Sequence, residues 1–549
     1  MRKLLCLLSL GGLLAAHAAA SKTDDAKPEV LFRGQFAGFA RLAANTNLVF
    51  KKAGALPATA RLREYAWPKL ARTAAGVLAG STNALDPATV KLFRPLLEDA
   101  FQQESFLQVE AVPGKPPEWV LAVQTGEEHA NLWSTNLFQI LGYLKARPVA
   151  AKGADWEARM AGHVARFAKV GKWTLVGNGP VNNLWNTTLA EVKASGRPAL
   201  APGETVFTGE ANLRLLARRV DWIPIGPWQK AEWTVTPRNQ KLRSEVRITG
   251  LEDLASATLP AWRLPTNMID GAALASFTAA RGLAPSLGKL PSFRALGVND
   301  FPDQFQLWSL AAAAPIMSYA TVPAENATNL MEQVATGLPR LFAVYDLTNH
   351  PVGRMVWAPG RTGVVWDGLP LVVPNMRPTA NAAGSFLFFG LSPMLSSTNE
   401  LPAELVNQLT DGGRNLVYYH WESSEMRGQE WPMLSQLLAY ARSPYNTSGV
   451  PPVGNGTPGH LWLHDASSLL GETVTQAVMD GPRALAFTRS SKLGFTSLEM
   501  LALANWLDSS GFPSTGPGIL YHPRPDQLVS PASHGTNTPA AKAPTLPAK

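Results

Sequence analysis

One pattern recurs along this chain of 549 residues and limits its architecture more than any short motif does: strand, strand, then amphipathic helix. In the first copy, Phe106 to Val112 alternates as a strand and Pro113-Gly114-Lys115-Pro116-Pro117 turns the chain. A second strand runs from Trp119 to Gln124. Thr125-Gly126-Glu127-Glu128 then opens a helix with Leu132, Leu137, Ile140, Leu141 and Leu144 on its apolar side. Thr125 and Glu128 have the spacing of a capping box. The second copy reads Phe305 to Leu310, then Ile316 to Val322, then a helix opened by Pro323-Ala324-Glu325 and continued by Leu330, Met331 and Val334 to Leu341. A looser third copy starts at Leu416 to Trp421, with a helix through Met433, Leu434, Leu437 and Leu438. Two strand–helix pairs follow, Trp173 to Val176 with Leu184 to Val192, and Ala484 to Phe487 with Leu498 to Leu507.

Glu232 to Thr249 reads as a long hairpin. Trp233 and Val235 alternate with polar neighbours, Pro237-Arg238-Asn239-Gln240 turns, and Leu242, Val246 and Ile248 alternate with charged residues. Asp270 to about Leu283 reads as a helix capped by Asp270 and ended by Gly282. The expected class is α+β, with internally repeated strand-strand-helix units, mostly antiparallel sheets and helices on one face. The expected divisions are a first repeat region at 31–262, a second at 263–400 and a third at 401–521. A Pro-, Ala-, Ser- and Thr-rich disordered tail at 522–549 completes the chain.

The first twenty residues have the composition of an export signal. Arg2 and Lys3 precede an apolar stretch from Leu4 to Leu14, and Ala16-His17-Ala18 and Ala18-Ala19-Ala20 are small-x-small cleavage sites. Residues 21–30 then form a polar leader. The expected destination is the periplasm or the exterior. The single cysteine, Cys6, falls within the signal, so neither disulfides nor thiol chemistry is expected of the processed chain. No later apolar run approaches the ~18 residues of a membrane span. The formal charge of +8 is spread without long basic runs, which points away from nucleic acid.

Chemistry-bearing patterns are few. His460 and His464 stand four apart, one face of a helix, with Asp465 beside them. His420, together with Glu422, offers further ligands for zinc or a similar metal. The Glu after the first His of a zinc protease helix is absent, because Leu461 stands there. Gly454-Asn455-Gly456-Thr457-Pro458-Gly459 spells a dinucleotide fingerprint, but Pro458 and the lack of a preceding strand make it a loop. Ser286-Leu287-Gly288-Lys289 lacks the companion motifs of the serine enzymes that share its letters. Glu127, Glu128 and His129 fit the first turn of a helix, where acidic groups complement the dipole. Of the 17 tryptophans, Trp222, Trp228, Trp262 and Trp357 lie in Pro- or Gly-rich connections and are the candidates for stacking on a ligand.

The stretches Leu264 to Ile269, Phe277 to Leu283, Val417-Tyr418-Tyr419-His420-Trp421-Glu422 and Ala504-Asn505-Trp506-Leu507 resemble a family of uncharacterised exported proteins of Verrucomicrobia-like bacteria. The resemblance runs from about Gly203 to Pro513. It implies a bacterial source and no catalytic residue. Because the sequence holds no complete catalytic constellation, the expectation is an exported, non-enzymatic protein that binds an envelope ligand or protein and uses no cofactor. A metal-assisted hydrolase built on His460 and His464, and a chaperone-like assembly factor with an apolar groove, are the alternatives.

Overall fold

Twenty strands pair into one unbroken antiparallel ladder. The computed structural model describes residues 28–79, 87–111, 116–160, 163–179, 183–198, 205–217, 228–251, 259–266, 269–270, 273–282, 284, 291–311, 317–344, 353–368, 372–392, 398–399, 401–411, 415–428, 430 and 456–513. The first ten strands are β1 (Glu29–Phe36), β2 (Ser105–Ala111), β3 (Glu118–Gln124), β4 (Val149–Ala151), β5 (Ala154–Met160), β6 (His163–Val170), β7 (Trp173–Gly179), β8 (Phe207–Asn212), β9 (Lys230–Arg238) and β10 (Lys241–Thr249). The second ten are β11 (Leu274–Arg281), β12 (Gln304–Leu310), β13 (Ser318–Pro323), β14 (Arg354–Trp357), β15 (Val364–Asp367), β16 (Asn375–Asn381), β17 (Gly384–Gly390), β18 (Leu416–Ser423), β19 (Glu472–Met479) and β20 (Ala484–Ser491). Ile269–Asp270 and Thr398–Asn399 form a separate small pair.

The pairings run β4-β5-β6-β7-β3-β2-β1-β8-β9-β10 through the first ten strands. They run β14-β15-β16-β17-β13-β12-β11-β18-β19-β20 through the second ten. Both runs carry a register shift at the same place, at Leu31 between β1 and β2 and at Ala275 between β11 and β12. The runs meet where β10 pairs with β20, from Leu242 opposite Ser491 to Thr249 opposite Ala484.

The helices that matter for the site are α1 (Phe39–Ala44), α2 (Phe50–Ala55), α3 (Pro57–Ala79), α4 (Pro87–Gln102), α5 (Glu127–Tyr143), α6 (Asn183–Ser195), α7 (Ala327–Val344), α8 (Ala403–Asp411), α9 (Pro458–Ser467) and α10 (Ser497–Asp508). The connection from β1 to β2 holds α1 to α4. In α3, Ala58, Leu62, Ala66 and Leu70 repeat every four residues and are all buried, which makes one apolar ridge. That ridge joins Phe36, Phe101 and Phe207 from the first strand run and its insert to Trp462, Leu463, Met500 and Leu507 of α9 and α10 in one continuous core. Lys69 fixes the contact. Its ammonium donates to the carbonyls of Leu507 and Ser509 at 3.0 Å each, and the Tyr65 hydroxyl donates to that of Asp508. A cation there satisfies the unpaired carbonyls at the end of α10. A second core packs Phe277, Trp308, Tyr319 and Tyr419 against Leu405 and Leu409 of α8.

The α+β class with antiparallel sheet is as expected, and β9 and β10 are the expected hairpin, turning at Asn239. Three readings need correction or relocation. The helix expected over 270–283 is the strand β11: Ala-rich Leu274–Arg281 has helical propensity, but it is sandwiched between β12 and β18 and buried on both faces, so tertiary pairing prevails. Thr125 does not cap α5, because its hydroxyl is bonded to that of Thr174 and Gly126 occupies the cap. The strand of the third copy is β18, whose neighbours are β11 and β19, so regions 263–400 and 401–521 share one sheet. Its expected helix through Met433 to Leu438, the signal and the tail lie outside the described residues.

Candidate functional site

His460 and His464 do lie on one helix, α9, but in different surroundings. His460 is buried, and its Nε2 donates to Asn505 Oδ1 of α10 at 2.8 Å. His464 and Asp465 are exposed. The start of α9 is held by Asp508, which accepts from the Gly459 N–H at 2.8 Å and the Thr457 hydroxyl at 2.6 Å. A Cβ on Gly459 would lie 2.5 Å from both the Ala504 carbonyl and Asp508 Oδ2, so the last glycine of the G-x-G-x-x-G letters serves close helix packing.

His420 belongs to another cluster. Its Nε2 faces Glu422 at 3.4 Å, and its Nδ1 lies 2.8 Å from the Thr278 hydroxyl across the β11–β18 pair. Glu422 in turn accepts from the Ser497 N–H at 2.6 Å, the Ser497 hydroxyl at 2.9 Å and the Ser424 hydroxyl. Burial pushes this carboxyl up, but His420, Ser424 and Ser497 outweigh it and hold it below the usual carboxylate range. A carboxylate over the start of α10 is also favoured by the helix dipole. Ser497 and Asn505 are eight residues apart on α10, about 12 Å along its axis. His420, through Glu422, and His460, directly, therefore engage separated parts of that helix. Among the described residues no group of three or more His, Cys, Asp or Glu side chains is placed to hold a metal.

Of the tryptophans, Trp222 lies outside the described residues, and Trp228, Trp262 and Trp357 are half-buried. The Arg281 guanidinium lies 4.5 Å from the Trp262 ring centre and that of Arg361 lies 5.2 Å from Trp357, so each of these rings already has a cation on one face. Ser286 to Lys289 also lies outside the described residues. His129 faces away from catalysis: Asp99, buried, accepts from its Nδ1 at 2.9 Å and from Trp133 Nε1 at 2.8 Å, an orientation that pins α4 to α5.

The feature with the shape of a ligand site lies elsewhere. Between α2, α3, α9 and α10 is a small cleft with a cavity volume of about 80 Å³, partly open to solvent. Its walls are Phe39, Phe50, Leu62, Ala66, Trp67, Leu70 and Phe101 on one side and Trp462, Leu493, Phe495, Met500 and Leu507 on the other. Phe39 stacks on Phe101 at 5.2 Å and meets Phe50 edge-on at 6.2 Å, which fixes the aromatic wall. Only two polar side chains line it, Thr59 and Arg63, one turn apart on α3. The Thr59 hydroxyl donates to the Ala53 carbonyl at 2.6 Å. The four-residue spacing of Ala58, Leu62, Ala66 and Leu70 was the sequence signal for this wall. Its partners on α10 lie more than 400 residues away, beyond the reach of any local pattern. No family model, curated protein or solved structure matches the chain.

Proposed function

We propose that this is an exported, non-enzymatic binding protein that carries an apolar molecule in the cleft between α2–α3 and α9–α10. One observation carries the reading: a cleft walled by aromatic and aliphatic side chains, open on one side, with few polar groups to orient an occupant. Among the described residues no helix is long and apolar enough to cross a membrane.

The same strand order in two runs, with the same register shift, supports a further part of the reading: the chain is a tandem duplication of one ten-strand unit. The connection from β1 to β2 holds α1 to α4, whereas the described residues of that from β11 to β12 hold one short helix, Pro291–Leu296. The cleft is built on this difference, since α2 and α3 supply one of its walls.

The test is titration of residues 21–549 with benzene, the smallest neutral aromatic probe, followed by calorimetry. Saturable binding of about one molecule per chain, lost in Ala53→Trp, is the expected result. Non-saturable binding, or binding unaffected by Ala53→Trp, would overturn the reading.

A further inference from the structure

We infer that the open face of the first strand run is a second binding site, separate from the cleft, and that it takes a neutral oligosaccharide. A groove of about 470 Å³ crosses β1, β8, β9, β10 and β20 there, a volume that suits a small ligand. Arg33, Glu210, Glu232 and Arg247 stand opposite one another in one row across β1, β8, β9 and β10. Thr208, Thr234, Glu245 and Thr488 make a parallel row across β8, β9, β10 and β20. Residues two apart on a strand share a face, so the two rows form the two walls of the groove. Five strands at a spacing of about 4.8 Å make it about 19 Å long.

The charges of the walls are already paired. Arg33 meets Glu210 at 2.6 Å, Lys230 meets Glu210 at 2.6 Å and Glu232 at 2.8 Å, and Arg243 meets Glu245 and Arg247 meets Asp480 at 2.7 Å each. A charged occupant would compete with these pairs, whereas a neutral one leaves them intact and uses their outward lone pairs and N–H groups. Among the described residues the hydroxyls of Thr208, Thr234 and Thr488 are bonded to no protein group. Each can both donate and accept, as the hydroxyls of a sugar do. Trp233 and Phe487 belong to the intervening row and point to the other face, so neither wall offers a bed for a hydrocarbon.

The same places in the second run are filled differently. Arg33 and Phe277 each lie two residues past the register shift, and Phe277, Trp421, Val474 and Ser490 form the row that matches Arg33, Glu210, Glu232 and Arg247. There α8 covers the row, with Phe277 buried and Trp421 and Val474 packed against the same core. The corresponding helix of the first run, α6, packs on β3, β6 and β7 instead. A face closed by apolar side chains and a helix in one run is therefore open and hydrogen-bonding in the other.

The test is calorimetric titration of residues 21–549 with cellotetraose, maltotetraose and tetra-N-acetylchitotetraose. Tetragalacturonate, tetraglucosamine and tetra-alanine serve as anionic, cationic and peptide probes. One or more of the neutral tetrasaccharides is expected to bind saturably, at about one per chain, more tightly than its disaccharide and with little dependence on salt. Thr234→Val and Thr488→Val keep the side-chain shape and the strand preference, so each should weaken that binding about twofold to tenfold while the melting temperature stays unchanged. Ala53→Trp, which fills the cleft, should leave it unaltered. The inference is overturned if no neutral tetrasaccharide binds, if a charged tetramer or the peptide binds more tightly than all of them, or if affinity survives in the Thr234→Val, Thr488→Val double variant. Loss of sugar binding in Ala53→Trp would also overturn it, by placing the sugar in the cleft. Failure of benzene to bind, with sugar binding retained, would remove the cleft and leave the groove.

Discussion

Replacing Glu118 with glutamine should make the protein's stability much less sensitive to pH between about 4.5 and 7. Glu118 starts β3 and is 1% exposed, and neither carboxylate oxygen has a hydrogen-bond partner at full geometry, the Leu184 and Trp185 N–H groups giving only weak contacts. Its neighbours leave it little space: a Cβ on Gly179 would lie 2.7 Å from its Cγ. Burial pushes its pKa up from 4.5 to about 7, although the Leu184 and Trp185 N–H groups at the start of α6 and the charge of Arg166 pull the other way. Below 4.5 the group is neutral in both the folded and the unfolded chain. Above that value the unfolded chain releases the proton while the folded chain retains it, so stability falls with rising pH until the folded group also ionises near 7. At about 1.4 kcal/mol per pKa unit the loss is roughly 3 kcal/mol. Urea unfolding followed by tryptophan fluorescence, at intervals from pH 4.5 to 8, measures it. The stability difference between Glu118→Gln and the native chain should grow by roughly 3 kcal/mol across that range in favour of the variant. Parallel curves for the two proteins would refute the argument, because they would mean that Glu118 ionises alike in both states.

Three other expectations follow from the packing. Gly459→Ala places a methyl group against the Ala504 carbonyl and Asp508, and should cost about 1–3 kcal/mol in chemical denaturation, with α9 loosened from α10. Glu422→Ala leaves the Ser497 N–H without its acceptor and should cost about 2–4 kcal/mol; in the native chain the stabilisation from this depressed carboxyl is present above pH 4.5 and lost as the pH falls through its folded value, a loss the variant should not show. The hydrogen bond that His129 Nδ1–H donates to Asp99, and the charge of that carboxylate, raise the His129 pKa, and NMR titration should find it lowered in Asp99→Asn.

Local patterns carried the parts of this fold whose side chains answer to their own neighbours in sequence. The β2–β3–α5 and β12–β13–α7 segments and the β9–β10 hairpin were readable because one face of each is apolar and the period is distinct. Strand β11 was not, since a segment buried on both faces loses its alternation and its alanines then point to a helix. The Thr125 cap failed for a related reason: a hydroxyl with the right spacing found a closer partner on β7. The cleft was out of reach altogether. Nothing distinguishes Arg63 from the other cations of the chain until α3 is laid against α10, and that contact depends on Lys69 meeting carbonyls contributed by the opposite end of the sequence.

The junction of β10 with β20 has a physical consequence of its own. Eight residues of each strand pair there, and the ladder continues where the Leu251 N–H donates to the Arg483 carbonyl and Arg483 Nε donates back to that of Leu251. Between separate molecules such an edge-to-edge joint would dissolve on dilution. Here both edges belong to one covalent chain, so the joint is independent of concentration and neither edge is offered to a stranger. Cutting the chain between β10 and β11 would return that joint to the law of mass action, and the freed β10 would become an open template for any strand able to pair with it.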